Sequence, residues 1–226
     1  MILQENIGFS NWVCPKCKGD LKVEDGVYFC EPCGQRFNDF LGLPDFRLHY
    51  KDTKNEVALA KEFRESWNEL TYEDMVRMRW SGLRQRALAR GKHPSDFKMW
   101  DVDEQAHLAT YKVRGKHHQY MLKNIIQRKI YAWEIIRLVD VGCGWGRDLL
   151  HLACLAQEAI GVDVSAFSLL MTKKLLEGQG VTNVTLVLAE GESLPLPPEC
   201  IDGINCSGAI EHMRIPGDFC VNVQDV

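Results

Sequence analysis

Hydrophobic and polar positions change period several times along the chain. Leu21, Val23, Val27 and Phe29 alternate with polar residues around Glu24-Asp25-Gly26, which predicts two short strands joined by a tight hairpin turn. From Asn55 the spacing becomes helical, with Ala60, Phe63, Trp67 and Leu70 three or four apart and charged residues between them. A second helix is expected from Thr71, where Thr71-x-x-Asp74 has capping-box spacing, to near Gly91 ahead of Pro94. A third is expected over about 116–134, with Leu122, Ile125, Ile126, Ile130 and Trp133 on one face.

Beyond residue 135 the pattern is that of buried strands alternating with helices. Residues 135–141 predict a strand, a glycine turn follows, and a helix is expected to begin near Arg147. Residues 159–163 form a second expected strand with a helix from Ser165 through Leu176; residues 184–188 and 201–206 predict a third and a fourth. This βαβαββ order makes the class α/β, with a Rossmann-like parallel sheet.

Composition adds boundaries and electrostatic contrast. The chain has 226 residues, 46% of them hydrophobic and 26% charged, as expected of a globular protein with room for one full domain and a small accessory module. Residues 1–50 have 5 Lys and Arg against 7 Asp and Glu; the counts are 18 against 12 over 51–137, and 4 against 12 over 138–226. The expected organisation is therefore a module at 1–50, a helical linker or cap at 51–135, and a ligand-binding α/β domain at 136–226. There is no basic, then apolar leader at the N-terminus and no apolar run of about 18 residues, so the expectation is a cytoplasmic protein with no membrane segment.

In a reducing compartment, paired cysteines read first as metal ligands. Cys14-Pro15-Lys16-Cys17 and Cys30-Glu31-Pro32-Cys33 are two CxxC turns separated by twelve residues. Two such turns on an adjacent hairpin complete a tetrahedral shell of four thiolates, which reads as a closed structural zinc site with no open position for water or substrate, iron or a redox pair being the alternatives. Gly19 and Gly34, just after each pair, suit turns that need positive φ. Fifty residues build little core unaided, so zinc would supply much of the module's folding free energy. Cys143, Cys154, Cys200, Cys206 and Cys220 have no such spacing and read as small buried or incidental residues.

The glycine turn carries the other chemistry. Gly142, Gly144 and Gly146 remove side chains where the backbone bends and approaches a ligand, ahead of a helix N-terminus that favours an anionic group. Asp163 ends the second strand, 21 positions after Gly142, where a carboxylate can accept two ribose hydroxyls. Ligands of open parallel sheets bind beyond the strand C-termini, which would gather Asp140, the 142–146 loop, Asp163, Glu190 and Ser207. Arg147 stands where a dinucleotide fingerprint has its third glycine, and no GxxxxGK[ST] run is present.

The run Val139-Asp140-Val141-Gly142-Cys143-Gly144-Trp145-Gly146-Arg147 resembles motif I of class I S-adenosylmethionine-dependent methyltransferases, and Gly161-Val162-Asp163-Val164-Ser165 resembles their motif II. Residues 189–196 are similar to the segment after strand three in the methyltransferase type 11 group, and Ile201-Asp202-Gly203-Ile204 with Gly208 to His212 resembles that group's strand four and its exit. Residues 12–47 resemble the small zinc ribbon that accompanies methyltransferases. The resemblance implies S-adenosylmethionine as cofactor. Gly142, Cys143, Gly144 and Gly146 would lie along its methionine part, Asp140 near the ammonium or the loop amides, Asp163 at the ribose and Glu190 at the adenine amino group. His212 and Glu211 follow strand four at the pocket mouth and are the candidates for a general base, with no catalytic residue assigned.

The implied reaction is methyl transfer to a small-molecule acceptor. An RNA or protein acceptor would instead use the ribbon and the basic residues Arg77, Arg79, Arg84, Arg86, Arg90 and Lys92 for docking, although such charges more often form a solvated helix face. A third reading is a non-catalytic zinc-binding adaptor. The family fold has about three further strands after the fourth, whereas fourteen residues follow His212, so a C-terminally truncated fold is expected, with an edge at strand four available to a partner chain. His93, His107, His117 and His118 lack ligand spacing.

Overall fold

The structure, a computed structural model, describes residues 9–79, 91 and 136–214. The expected third helix, Arg84, Arg86, Arg90, Lys92, the four histidines from His93 to His118, Trp80 and Cys220 lie outside these residues.

Strands β1 (Lys22–Glu24) and β2 (Val27–Phe29) pair antiparallel around Asp25-Gly26, where φ is 49° and 77°. Two successive positive φ values match the right-handed twist of the flanking strands, so the predicted turn forms. A second hairpin of the same kind joins β3 (Arg36–Phe40) to β4 (Leu43–Asp45) through Leu41-Gly42. The sequence marked 37–46 only as the module's close; it is a pair of strands.

Four parallel strands follow: β5 (Arg137–Val141), β6 (Glu158–Asp163), β7 (Val184–Leu188) and β8 (Gly203–Asn205). The sheet is mixed rather than purely parallel, because β4 pairs with β7 and extends the order to β1-β2-β3-β4-β7-β6-β5-β8. Asp45 lies in parallel register with Leu188, whose carbonyl accepts the Phe46 N–H at 2.8 Å. Strand order reverses at β5, between β6 and β8, which opens a crevice at the strand C-termini. Among the described residues, β8 pairs only with β5.

The alternation within each strand sends side chains to two different covers. Leu138, Ala159, Leu186 and Leu188 face helices α1 (Lys54–Glu65), α2 (Arg147–Ala153) and α3 (Ala166–Gly178) and the helical backbone at 72–79. On the other face Val139, Val141, Ile160, Val162 and Val187 pack with Phe9, Trp12, Phe37 and Phe46 of the N-terminal module. Phe46 is fully buried at the centre, within 4.9–5.6 Å of the rings of Trp12, Tyr28 and Phe37. Each such aromatic burial contributes about 1.5–3 kcal/mol. The module that ends near residue 50 thus shares its core with the α/β sheet.

Helix α1 begins one residue earlier than its spacing suggests. The Thr53 hydroxyl accepts the Glu56 N–H, and the Glu56 carboxylate accepts the Thr53 N–H at 2.9 Å, a complete capping box. The helix stops at Glu65, so Trp67 and Leu70 continue its period without belonging to it. Trp67 turns back, and its indole N–H donates to Glu177 at 3.0 Å. Thr71 and Asp74 form the capping box that the sequence predicts, opening the stretch at 72–79. Ala60, Phe63, Met75 and Val76 bury this part against α3, with Phe63 and Phe167 rings 5.2 Å apart. In its described portion the middle segment covers a sheet face, and its first residue, Lys51, also lines the crevice.

Candidate functional site

The four Sγ atoms of Cys14, Cys17, Cys30 and Cys33 lie within 4.8 Å of one another, with Cys14–Cys33 at 3.5 Å and Cys17–Cys30 at 3.4 Å. A tetrahedron of thiolates with metal–sulfur bonds of about 2.3 Å has edges of about 3.8 Å, so the cluster fits one zinc ion. Matching turns shape it: Lys18 N–H donates to the Cys14 carbonyl, and Gly34 N–H to the Cys30 carbonyl, both at 2.8 Å. The left-handed residues are Lys18 (φ 60°) and Gly34 (φ 71°), not Gly19. Gly19 is required for space, because a Cβ there would lie 3.0 Å from Pro32 and 3.4–3.5 Å from two ligand sulfurs. The Gln35 N–H aimed at Cys33 pulls that thiol down to about 7, favouring the thiolate a metal needs. Lys18 reaches across to the α/β domain and donates to the Leu194 carbonyl at 2.7 Å.

The second site is a cleft of about 730 Å³ at the C-terminal ends of β5, β6 and β7. Its floor is the glycine turn. Gly142 and Cys143 N–H both donate to the Val162 carbonyl at 2.8 and 3.0 Å, which curls the chain off β5. Gly142 has φ 71°, and a Cβ on it would lie 2.2 Å from that of Ala209. Any side chain there would drive the 208–213 segment off the loop.

Asp163 fastens the turn. One of its oxygens accepts the Gly144 N–H at 2.9 Å and the other the Ser165 N–H at 2.8 Å. Loss of surrounding water pushes its pKa up, and these N–H bonds oppose the shift. It lines the cleft with Gly142, Gly144 and Glu190.

Glu190 is held by residues the sequence did not implicate. Its carboxylate accepts the N–H groups of Leu48, His49 and Tyr50 at 2.9, 2.7 and 2.7 Å. It therefore buckles the end of the N-terminal module onto the end of β7, and His49, Tyr50 and Lys51 become a wall of the cleft. Arg47 completes the buckle, donating to Asp45, to Asp52 at 2.6 Å and to the Val164 carbonyl at 2.8 Å. No local pattern marks these residues as a cleft wall, because the contacts to Glu190 and to Val164 each span more than a hundred positions.

Four other expected cofactor residues do not line the cleft. Asp140 is only 2% exposed beneath the floor, where Asn205 donates to one oxygen at 2.7 Å and the other has no partner among the described residues. Burial pushes its pKa up to about 8. The buried Cys143 side chain turns toward Gly161, burial raising its pKa. Gly146 is the left-handed N-cap of α2 and packs on Thr172, which leaves no room for a Cβ. Ser207 is exposed outside the lining. His212, in a short 3-10 turn (Ile210–His212), does reach the cleft mouth, whereas Glu211 does not line it.

Residues 138–223 match a family model described as a methyltransferase domain. The chain is similar to the uncharacterized methyltransferase YcgJ of Bacillus subtilis (strain 168), 34% identical over 76 residues that cover 34% of this chain and 30% of that one. The crystal structure of YcgJ aligns with a TM-score of 0.38 at 28% identity, over 45% of this chain and 44% of its own. A putative methyltransferase of Bacillus halodurans aligns with a TM-score of 0.39 at 23% identity, over 40% and 39%. The chain spans about a third of the length of the curated relative it matches. Glycine turn, strand-end carboxylate and family match coincide in the same stretch, residues 138–223, which is similar to a methyltransferase domain.

Proposed function

We propose that the cleft binds S-adenosylmethionine and that the protein transfers its methyl group to a small-molecule acceptor. The observation that carries this reading is the Gly144–Asp163 bond inside a cleft of the right size: a glycine turn open to a ligand, fastened to a carboxylate at the next strand's end. Bound there, the cofactor would supply an electrophilic sulfonium methyl. The chain's own residues bind and orient it. Gly142 and Gly144 offer a surface without side chains, and Asp163 keeps lone pairs for ribose hydroxyls. The apolar parts of Val141, Ala189 and Met213 limit water beside them, which favours alignment of acceptor and methyl. His212 is at the mouth, within reach of an acceptor's proton.

The four-cysteine cluster is proposed as a structural zinc centre, since four thiolates close the shell. Reduced cysteines suit the cytoplasm, and Cys143, Cys154, Cys200 and Cys206 form no disulfide among the described residues. No helix among the described residues is long and apolar enough to cross a membrane. An RNA or protein acceptor draws no support from the described residues, because most of the basic run lies outside them.

Calorimetric titration with S-adenosylmethionine, with NAD in parallel, tests the proposal. Saturable binding of S-adenosylmethionine alone supports it. A folded, zinc-loaded chain that binds neither refutes it and favours the adaptor reading.

A further inference from the structure

We propose that the N-terminal module contributes Tyr50 as the aromatic surface against which the cofactor's nucleoside packs, so that the module is part of the cofactor site rather than an appended docking unit. The inference rests on the reading of the cleft as an S-adenosylmethionine site.

Three observations converge on Tyr50. Its backbone is pinned, since Glu190 accepts its N–H and that of His49 at 2.7 Å each. Its ring is held from one side by Arg47, whose guanidinium carbon is 5.8 Å from the ring centre. Arg47 is itself fixed by Asp45, Asp52 and the Val164 carbonyl, so the ring's support is a buried network and not a mobile side chain. Finally, Tyr50 lines both the cleft and a smaller cavity of about 470 Å³ that Arg47 also lines, so with Lys51 it stands where the two meet.

Its neighbours define what it would meet. Asp163 is close enough to push the Tyr50 hydroxyl pKa further up, behind the larger effect of burial and together with Glu56 and Asp52. A ligand whose ribose engages Asp163 therefore places its base in the part of the cleft that Tyr50 and Glu190 border. Glu190, with three N–H groups already on its carboxylate, acts there as a positioning residue for the Tyr50 segment. A planar base then gains most from a planar, electron-rich partner, and every purine offers a face to stack.

The test measures S-adenosylhomocysteine affinity by calorimetry for the full chain and for Tyr50→Ala, Tyr50→Leu and Tyr50→Phe, with thermal melts to establish folding. Alanine should weaken binding about tenfold or more and leucine, which keeps bulk without a ring, about as much; phenylalanine should stay within about twofold. A folded alanine or leucine variant with wild-type affinity overturns the assignment while leaving the cofactor reading intact. A wild-type chain that binds no S-adenosylhomocysteine overturns both.

Discussion

Asp140 and Asn205 stand in register across the β5–β8 pair, and the Asn205 side-chain amide donates to Asp140 at 2.7 Å. The bond ties the last described strand to the centre of the sheet, beneath the cleft floor. With its second oxygen unpartnered and water excluded, Asp140 is held protonated, its pKa pushed up to about 8 chiefly by burial. An unfolded chain releases that proton near 3.8. Between about pH 4 and pH 8 the native state binds more protons, so stability falls as pH rises through this window. Asp140→Asn, which cannot ionise, should flatten the slope and raise stability most toward pH 8. Urea unfolding of both chains at pH 5, 6, 7 and 8 checks this; parallel curves would show that Asp140 does not carry the proton.

What was legible in the sequence was what short stretches encode. The CxxC turns and the Gly142 loop announce themselves because metal geometry and backbone bending constrain adjacent residues. Asp163 follows from its place at a strand's end. The β4–β7 junction left no trace, since Leu48 and Glu190 are 142 positions apart and neither is unusual among its neighbours. Glu190 read as a ligand group because a carboxylate at a strand end usually faces solvent or substrate. Here the N-terminal module supplies three N–H groups to it first. Gly19 likewise looked conformational and is steric, while Lys18 takes the left-handed turn at a cost of about 1–2 kcal/mol.

Asp163→Ala should weaken S-adenosylmethionine binding by about 1–3 kcal/mol, about 5- to 150-fold. Two losses contribute: the acceptor for ribose hydroxyls, and the bond that holds Gly144 N–H in the turn. Asp163→Asn retains an acceptor oxygen and should fall between the two. Calorimetric titration decides, and unchanged affinity for the alanine variant would remove Asp163 from the site.

Arg47 is a structural counterpart to these ligand groups. Its side chain is 7% exposed and that of Asp52 is 3% exposed. Removing the cation strands Asp52 in a dry setting, which in comparable buried pairs costs about 3–5 kcal/mol. Arg47→Met keeps much of the apolar stem and so isolates the loss of charge. Its unfolding free energy should drop by that amount in denaturant titration, with Arg47→Lys intermediate because one ammonium cannot span three acceptors. A loss under about 0.5 kcal/mol would mean the acidic groups rehydrate freely and the buckle is loose.

Zinc removal should be felt at the cleft. The four sulfurs sit on turns whose neighbours Trp12, Phe37 and Phe46 pack directly on the sheet, and the chain leaving that core supplies the wall at His49, Tyr50 and Lys51. Cys30→Ser removes one of four thiolates and should release the metal, because the folding free energy of so small a module depends on it. If ordering of the ribbon and ordering of the wall are one event, the same variant must also bind S-adenosylmethionine more weakly, and by reciprocity cofactor must raise zinc affinity by the same factor. Metal analysis and calorimetry on the same sample measure both. Zinc lost with cofactor affinity unchanged would show that the β4–β7 junction and the Glu190 buckle hold the wall without help from the metal.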